Sequence, residues 1–323
     1  MEQRVALVTA IGSFSAEAVV QGLHDQGVRV VGVDVYPREW VAQSLFVDSF
    51  RQAPFASSEA KYSAFVREVC ASEGVGLLLP LTDVEVDFFN AHRDLLADLG
   101  TKVLISPASA LALCRDKRAM AEFLKGSKSG VRGIPTVPLA PLDGRYPGHP
   151  VVVKPLDGRS SQGLTRVRGP EDWRAVCPPD PERYIVQPLV EGPVVTVDVV
   201  RDQCGSAVVA VPRRELLRTP NGAGTSVRMF HDDALVAACQ GLADELGVVG
   251  CVNFEFIEEA EGAYRFLECN PRFSGGVKFS CMAAYDCVAN HLRAHLGEPI
   301  AGLGEYEDCF IARRYSEFVT SRP

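Results

Sequence analysis

"FLECNPRFSGG", residues 266–276, sets a carboxylate (Glu268), a carboxamide (Asn270) and a guanidinium (Arg272) within five residues and follows them with two glycines. Strand-forming residues precede it. On an extended segment Glu268 and Asn270, two apart, leave the backbone on one face. The wider stretch "NFEFIEEAEGAYRFLECN" reads as a hairpin closed through "EEAEGA". Its first strand carries Asn253 and Glu255 on one face and Phe254 and Phe256 on the other. Its second carries Glu268 and Asn270 opposite Leu267 and Cys269. Closure brings Glu255 near Glu268, and two carboxylates so placed repel unless a cation sits between them. Such hard oxygen donors suit Mg²⁺ shared with phosphates, with Arg272 and the turn at 274–276 meeting a phosphoryl group. A polar strand on a solvated sheet face shows the same alternation, so the hairpin alone leaves both readings open.

A second stretch lies upstream. In "VVVKPLDGRSSQGLTRV", residues 151–167, an apolar strand delivers Lys154 and a loop rich in Gly and Ser leads to another short strand. Glycines let backbone N–H groups converge on polyphosphate, serines add hydroxyl donors, and a lysine adds fixed positive charge. The order is not that of GxxxxGK[ST]. An ordinary hairpin turn with a surface lysine also fits this stretch taken alone.

The whole chain narrows the field. Its 323 residues exceed what one core usually serves, so two or three packed units are expected. A composition of 47% hydrophobic and 23% charged residues is that of a globular protein. A formal charge of −8, without a long basic run, argues against a nucleic-acid partner. "MEQRVALVTAIG" reads as a first strand rather than a signal peptide, and no apolar run approaches the roughly twenty residues of a membrane span. The expectation is a cytoplasmic protein without a membrane partner. Ten cysteines form no CxxC pair and lie mostly in apolar segments, where a reduced thiol behaves as a small hydrophobe. His291 and His295 share a helix face without a third ligand and read as a solvated face.

From Val5 to about Ser106, "VALVTA", "VRVVGVDV", "VGLLLPL" and "KVLIS" alternate with helical stretches such as "SAEAVVQGLHDQG", which Gly27 ends. This predicts a parallel βαβ sheet of Rossmann-like type. Asp34 ends the second strand as a ribose-binding acid would, but no GxGxxG accompanies it, so a dehydrogenase is disfavoured. Thr82, Asp83 and Glu85 sit at the C-terminal edge of the third strand, either facing a ligand or capping the next helix. A Pro- and Gly-rich passage follows the helix of "CRDKRAMAEFLK". Beyond it, short β-runs predict antiparallel sheet, with a terminal helix at about 281–296.

Taken together, the lysine loop and, about a hundred residues later, a glutamate strand leading to "ECNPRFSGG" resemble the ATP-grasp superfamily. The likeness is closest to its carbamoyl-phosphate-synthetase-like and pyrrolysine-biosynthesis-ligase-like branch and runs in order along nearly the whole chain. It implies an α/β fold, α+β in its later part. A Rossmann-like N-terminal domain (1–107) would precede a two-lobed ATP-grasp fold, its small lobe with the phosphate lid at 108–182 and its large lobe at 183–323. By resemblance, Lys117 and Lys154 are the ATP-phosphate lysines, and Ser160, Ser161, Gln162 and Gly163 form the lid. Gln187 and Leu189 lie on the adenine strand. Glu255, Glu268 and Asn270 hold Mg²⁺ (or Mn²⁺), and Arg272 is the catalytic arginine alongside Lys154. Arg213 and Arg214, in "PRREL", fall near the acceptor site, and Lys278 is close enough to touch substrate.

One position departs from the pattern. Where the branch carries "EGPE", with its glutamate on the ribose, this chain has Val194; Glu191 or Asp198 would have to substitute. The implied activity is an ADP-forming, ATP-dependent ligase. It would join a small-molecule carboxylate to an amine or thiol through an acyl phosphate, in a homodimer by default. Two alternatives remain at this point: a nucleotide-binding regulatory or scaffold protein without turnover, which Val194 favours, and a carboxylate or carbamate kinase.

Overall fold

The computed structural model describes residues 4–322 except 143, 159–161, 177, 221, 261 and 284. The chain opens with β1 (Val5–Val8), α1 (Ala16–Asp25), β2 (Arg29–Asp34), β3 (Ser49–Gln52), α2 (Glu59–Glu73), β4 (Leu77–Leu79), α3 (Asp83–Ala91) and β5 (Lys102–Val103). These strands form one parallel sheet in the order β3-β2-β1-β4-β5. The four strands legible in the sequence are present. The fifth, β3, is a polar edge strand, "SFRQ", with no apolar run to announce it. Gly27 follows α1 with φ +69, the left-handed turn its position predicts.

Next come α4 (Ala108–Arg115), α5 (Lys117–Gly126), β6 (Val137–Pro138), β7 (Val151–Pro155), β8 (Thr165–Val167), α6 (Pro170–Arg174) and β9 (Tyr184–Pro188). Their strands make a four-stranded antiparallel sheet, β6-β9-β7-β8. Asp116 caps α5 by accepting the N–H groups of Arg118 and Ala119, which fixes Lys117 as the helix's first residue.

The remaining elements are β10 (Val194–Arg201), β11 (Val208–Arg218), β12 (Gly224–Met229), α7 (Asp233–Leu246), β13 (Gly250–Ala260), β14 (Ala263–Asn270), α8 (Val277–Ala283), α9 (Cys287–Leu296) and β15 (Cys309–Ala312). They build a six-stranded antiparallel sheet, β14-β13-β10-β11-β12-β15. The terminal helix expected at 281–296 is two helices, because Asp286 caps a new start by accepting the N–H groups of Val288 and Ala289.

Alternation along β10 explains what each face of this sheet does. Val195, Val197 and Val199 enter a core with Leu235, Leu242, Phe254 and Phe256. Thr196 and Asp198 point the other way, above Val200, which joins a core shared with β1 and α1. That shared core seats the N-terminal sheet against the large sheet; at Gly22 of α1 a Cβ would come 2.7 Å from Val288.

The histidines of α9 do not face solvent. His291 and His295 are 5% and 4% exposed and pack over Gly250, where a Cβ would meet their rings at 2.5 and 2.6 Å. His291 Nδ1 accepts the N–H of Cys251. An i, i+4 pair on a helix looks the same whether its face meets water or a sheet. The absent side chain at Gly250 makes it the latter.

Candidate active site

The hairpin closes as expected, with Glu255 directly opposite Glu268, and it also sets Asn253 opposite Asn270. The row continues across the sheet, since Thr196 pairs with Glu255 and Arg213 with Thr196. A shift between Glu255 and Phe256 makes Leu267 an extra residue on β14. This bulge sends Phe266 into the core, T-shaped against Phe256 at 5.5 Å, while Leu267 lines the site instead of packing inward with Cys269.

Above this row lies a polar pocket of about 140 Å³, where separate parts of the chain meet. β14 supplies Glu268 and Asn270, the next turn supplies Arg272, α5 supplies Lys117 and β7 supplies Lys154. Lys117 Nζ lies 3.8 Å from Glu268 and donates to the Gly158 carbonyl at 2.8 Å. Gln162 borders the same pocket. Gly163 turns beside it with φ +70, where a Cβ would come 2.9 Å from Pro155. Ser160 and Ser161 lie outside the described residues.

Burial and charge set the protonation of this cluster. Burial, reinforced by the Glu268 charge, pushes Glu255 up to about 7. Burial lowers Lys154 to about 8, with Glu268 opposing the shift and Lys117 adding to it, and it also lowers Lys117. For Arg272 the cost of burial is outweighed by Asp83, whose Oδ2 accepts its Nη2–H at 2.8 Å, and the guanidinium's pKa is raised. Asn253 holds the turn by donating to the Arg272 carbonyl at 3.0 Å. Two facing carboxylates and a neighbouring carboxamide are hard oxygen donors of the kind that hold Mg²⁺. Among the described residues no group of three or more His, Cys, Asp or Glu suits a metal, so this mixed set is the candidate.

Two side chains belong here that the sequence reading did not place. Arg218, at the end of β11, reaches Glu255 at 3.1 Å and is steadied by the Gly222 carbonyl at 2.8 Å. Register shifts in β11 at Glu215–Arg218 obscure its facing from simple alternation. Asp83 was flagged at the strand edge, but its partner Arg272 lies 189 residues away.

Other expected residues lie elsewhere. Arg213 is 1% exposed and fully engaged: it donates to Asp198 at 2.5 Å, Glu215 at 3.1 Å, and the hydroxyls of Ser274 and Ser280. It is a strut beneath the turn, not a group open to an acceptor. Arg214 follows on the opposite face, paired with both oxygens of Glu258 and lying 5.3 Å from the Phe230 ring. Adjacent residues of a strand cannot both face one site. Lys278 pairs with Glu17 at 2.9 Å, bordering a different cleft. Gln187 donates to Thr136 and borders a small apolar pocket that shares Lys117, Leu267 and Glu268 with the polar one. The Leu189 N–H is committed to the Pro150 carbonyl. Glu191 is exposed and pairs with Arg168, and Asp198 is sealed against Arg213, so Asp198 is no ribose ligand.

Comparison with known proteins agrees with this architecture. Two antiparallel sheets meet at the lysine- and carboxylate-lined pocket, with the parallel sheet packed against the larger of them, and this is the ATP-grasp fold. Residues 180–314 match the family described as "ATP-grasp in the biosynthetic pathway with Ter operon". Biotin carboxylase from Campylobacter jejuni, solved as a β,γ-ATP complex, superposes with a TM-score of 0.75 at 17% identity, covering 92% of this chain and 72% of that one. The biotin carboxylase domain dimer of Hydrogenobacter thermophilus 2-oxoglutarate carboxylase, solved with MgADP, ADP and bicarbonate, gives 0.76 at 18% identity over 93% and 71%. N5-carboxyaminoimidazole synthetase from Staphylococcus aureus gives 0.73 at 14% over 96% and 82%.

Proposed function

We propose that the protein is an ATP-dependent carboxylate–amine (or thiol) ligase that works through an acyl phosphate and releases ADP and phosphate. The observation that carries this reading is the convergence of Lys117, Lys154, Glu255, Glu268, Asn270 and Arg272 on one pocket from separate parts of the chain. The neighbours solved with ADP or as a β,γ-ATP complex support the choice of nucleotide. We take 1–107, 108–182 and 183–323 as the units that bring substrate, phosphate lid and metal-binding face together.

In this reading the substrate carboxylate oxygen bonds to the γ-phosphorus as the β,γ-bridging P–O bond breaks. The nucleophile then bonds to the acyl carbon, and phosphate leaves. Lys154 and Lys117, two ammonium groups on separate elements, neutralise the phosphate oxygens. Arg272, aimed by Asp83, meets the charge developing on the transferred group. Catalysis of this kind is mainly positioning and electrostatics. Mg²⁺ held by Glu255, Glu268 and Asn270 would add charge neutralisation on the phosphates. Gly158 and Gln162, which border the pocket beside Lys154, would help keep water from the acyl phosphate. The small apolar pocket beside Gln187 is the place for the base. At about 20 Å³ it must widen by movement of the four-stranded sheet away from α5.

Val194 does not favour a scaffold over an enzyme, because the charged set around the pocket is complete without it. The test is Mg²⁺-dependent ADP release from ATP on pools of small carboxylates, with hydroxylamine as a general nucleophile. Glu268→Ala should abolish release and leave the melting temperature near that of the parent. ADP release untouched by Glu268→Ala, or none with any pool while ADP still binds, would sink the reading.

A further inference from the structure

A second cavity, of about 940 Å³, lies outside the polar pocket, between the N-terminal sheet and the C-terminal tail. Its walls are the loop after β1, the segment after β2, and residues 311–318, with Lys278 and Met282 of α8 at one side. The volume lies within the range of small-molecule clefts. Its lining is unusual in one respect. Eight aromatic side chains of the described residues are exposed, and six of them line this cleft: Phe14, Tyr36, Trp40, Phe46, Tyr315 and Phe318. Trp40 is 74% exposed and Tyr36 55%, with ring centroids 6.2 Å apart. Rings left in water cost hydration free energy, and a cluster of them marks a surface that something covers. The tail is held in place across the cleft by Phe318 against Phe46, edge-on at 5.3 Å, and by a hydrogen bond from Thr320 to the Glu39 carbonyl.

The charge of the cleft is equally directional. Its acids are already satisfied: Asp34 accepts the N–H groups of Gly12 and Tyr36 at 2.8 and 3.0 Å, and Glu17 takes Lys278. Its guanidinium groups are not paired with carboxylates. Arg313 lies between the rings of Phe14 and Phe279, 5.2 and 5.0 Å from their centroids, and donates only to backbone carbonyls, those of Gly224, Phe14 and Gly275. Neither Arg313 nor Arg314 has a carboxylate partner among the described residues. Burial lowers the pKa of Arg313, with the Glu17 charge opposing the shift and Arg213 adding to it.

The cleft also reaches the back of the catalytic turn. Arg313 holds the carbonyl of Gly275, three residues after Arg272, and Thr82, which borders the cleft, precedes the Asp83 that aims Arg272. Gly275 forms the thin partition: a Cβ there would stand 3.5 Å from Phe14 on the cleft side and 3.4 Å from Ala223. Ala223 in turn adjoins Gly222, which borders the polar pocket.

We infer that this cleft binds a small molecule with a flat aromatic body and a carboxylate, the body against the exposed rings and the anionic end facing Arg313 and Arg314. The aromatic body would lie against Trp40 and Tyr36, and the carboxylate would point toward the partition at Gly275.

The probe is 2-naphthoate, titrated calorimetrically into the full chain without nucleotide, with ADP binding measured in parallel to show that each variant is folded. Expected is saturable one-to-one binding, about tenfold tighter than that of 2-naphthamide, which has the same rings without the charge. Trp40→Ala and Tyr36→Ala should each weaken naphthoate by about threefold or more, with ADP affinity retained. Absence of saturable binding at millimolar naphthoate with ADP binding intact would overturn the inference. So would equal affinity for acid and amide, or binding unmoved by both substitutions. The two readings fail separately: naphthoate reports on the cleft without nucleotide, whereas the ligase assignment stands or falls on ADP release.

Discussion

Glu255 and Glu268 face each other across the β13–β14 ladder, and the cations nearest them, Arg218 at 3.1 Å from Glu255 and Lys117 at 3.8 Å from Glu268, leave their repulsion only partly met. The consequence is a carboxylate, Glu255, poised at about 7. A cation entering between the two must displace the proton that Glu255 holds below that pH. Apparent Mg²⁺ affinity in the presence of ADP should therefore fall by about tenfold per pH unit below 7 and level off above about pH 8. Calorimetric titration across that range measures it, and Glu255→Gln should weaken binding and flatten the profile. An affinity constant from pH 6 to 8 would count against a metal site at this pair.

Asp83 aims Arg272 through one charge-assisted hydrogen bond of 2.8 Å. Such bonds contribute about 1.5–3 kcal/mol. If the arginine acts on the transferred phosphoryl group, Asp83→Ala should lower kcat for ADP release by about ten- to a hundredfold. The Kd for ADP should move far less. Equal loss in both would make Asp83 a general support of the pocket instead.

Arg213 bridges a buried cluster with Asp198 and Glu215, in which Asp198 Oδ1 and Glu215 Oε2 find no hydrogen-bond partner among the described residues. Asp198 and Arg213 are 0% and 1% exposed. Removing the guanidinium strands two buried carboxylates, which costs about 3–5 kcal/mol. Arg213→Met should lower stability to urea by that order, whereas Arg214→Met, on the other face, should cost less because its side chain is a quarter exposed and it leaves one carboxylate, Glu258, instead of two. Similar losses for the two would contradict the strut assigned to Arg213.

The buried histidines give the fold an acid-side weakness. Burial holds His291 well below its ordinary value and His295 down to about 3, so both are neutral in the folded chain. The unfolded chain takes up its protons near pH 6.5. Stability is thus fully present above about pH 6.5 and is lost as pH falls from there toward 3, by up to about 1.4 kcal/mol per unit for each histidine. Urea midpoints at about pH 7.5 and 5.5 measure the slope. The His291→Gln/His295→Gln double variant should reduce it, and an undiminished slope would place the acid sensitivity elsewhere.

Much of the architecture was legible residue by residue. Continuous apolar runs marked four of the five parallel strands, since a strand buried on both faces has no polar side to show. Edge strand β3 escaped because its residues look like loop. The facing of Glu255 and Glu268 followed from a hairpin whose closure is local. The bulge at Leu267 did not, because alternation carries no signal for one extra residue.

By itself the sequence determined which side chains share a face and which must turn, because strand alternation, helix caps such as Asp116 and the left-handed turn at Gly27 depend on near neighbours alone. It therefore assembled the carboxylate and amide of the hairpin and pointed to the lysines above them. Only the tertiary structure decided what each charge would meet. Burial and long-range partners depend on segments far apart in the chain, and these turned Arg213 into a strut, sealed His291 and His295 over Gly250, brought Asp83 to Arg272 and opened the aromatic cleft between the first strands and the tail.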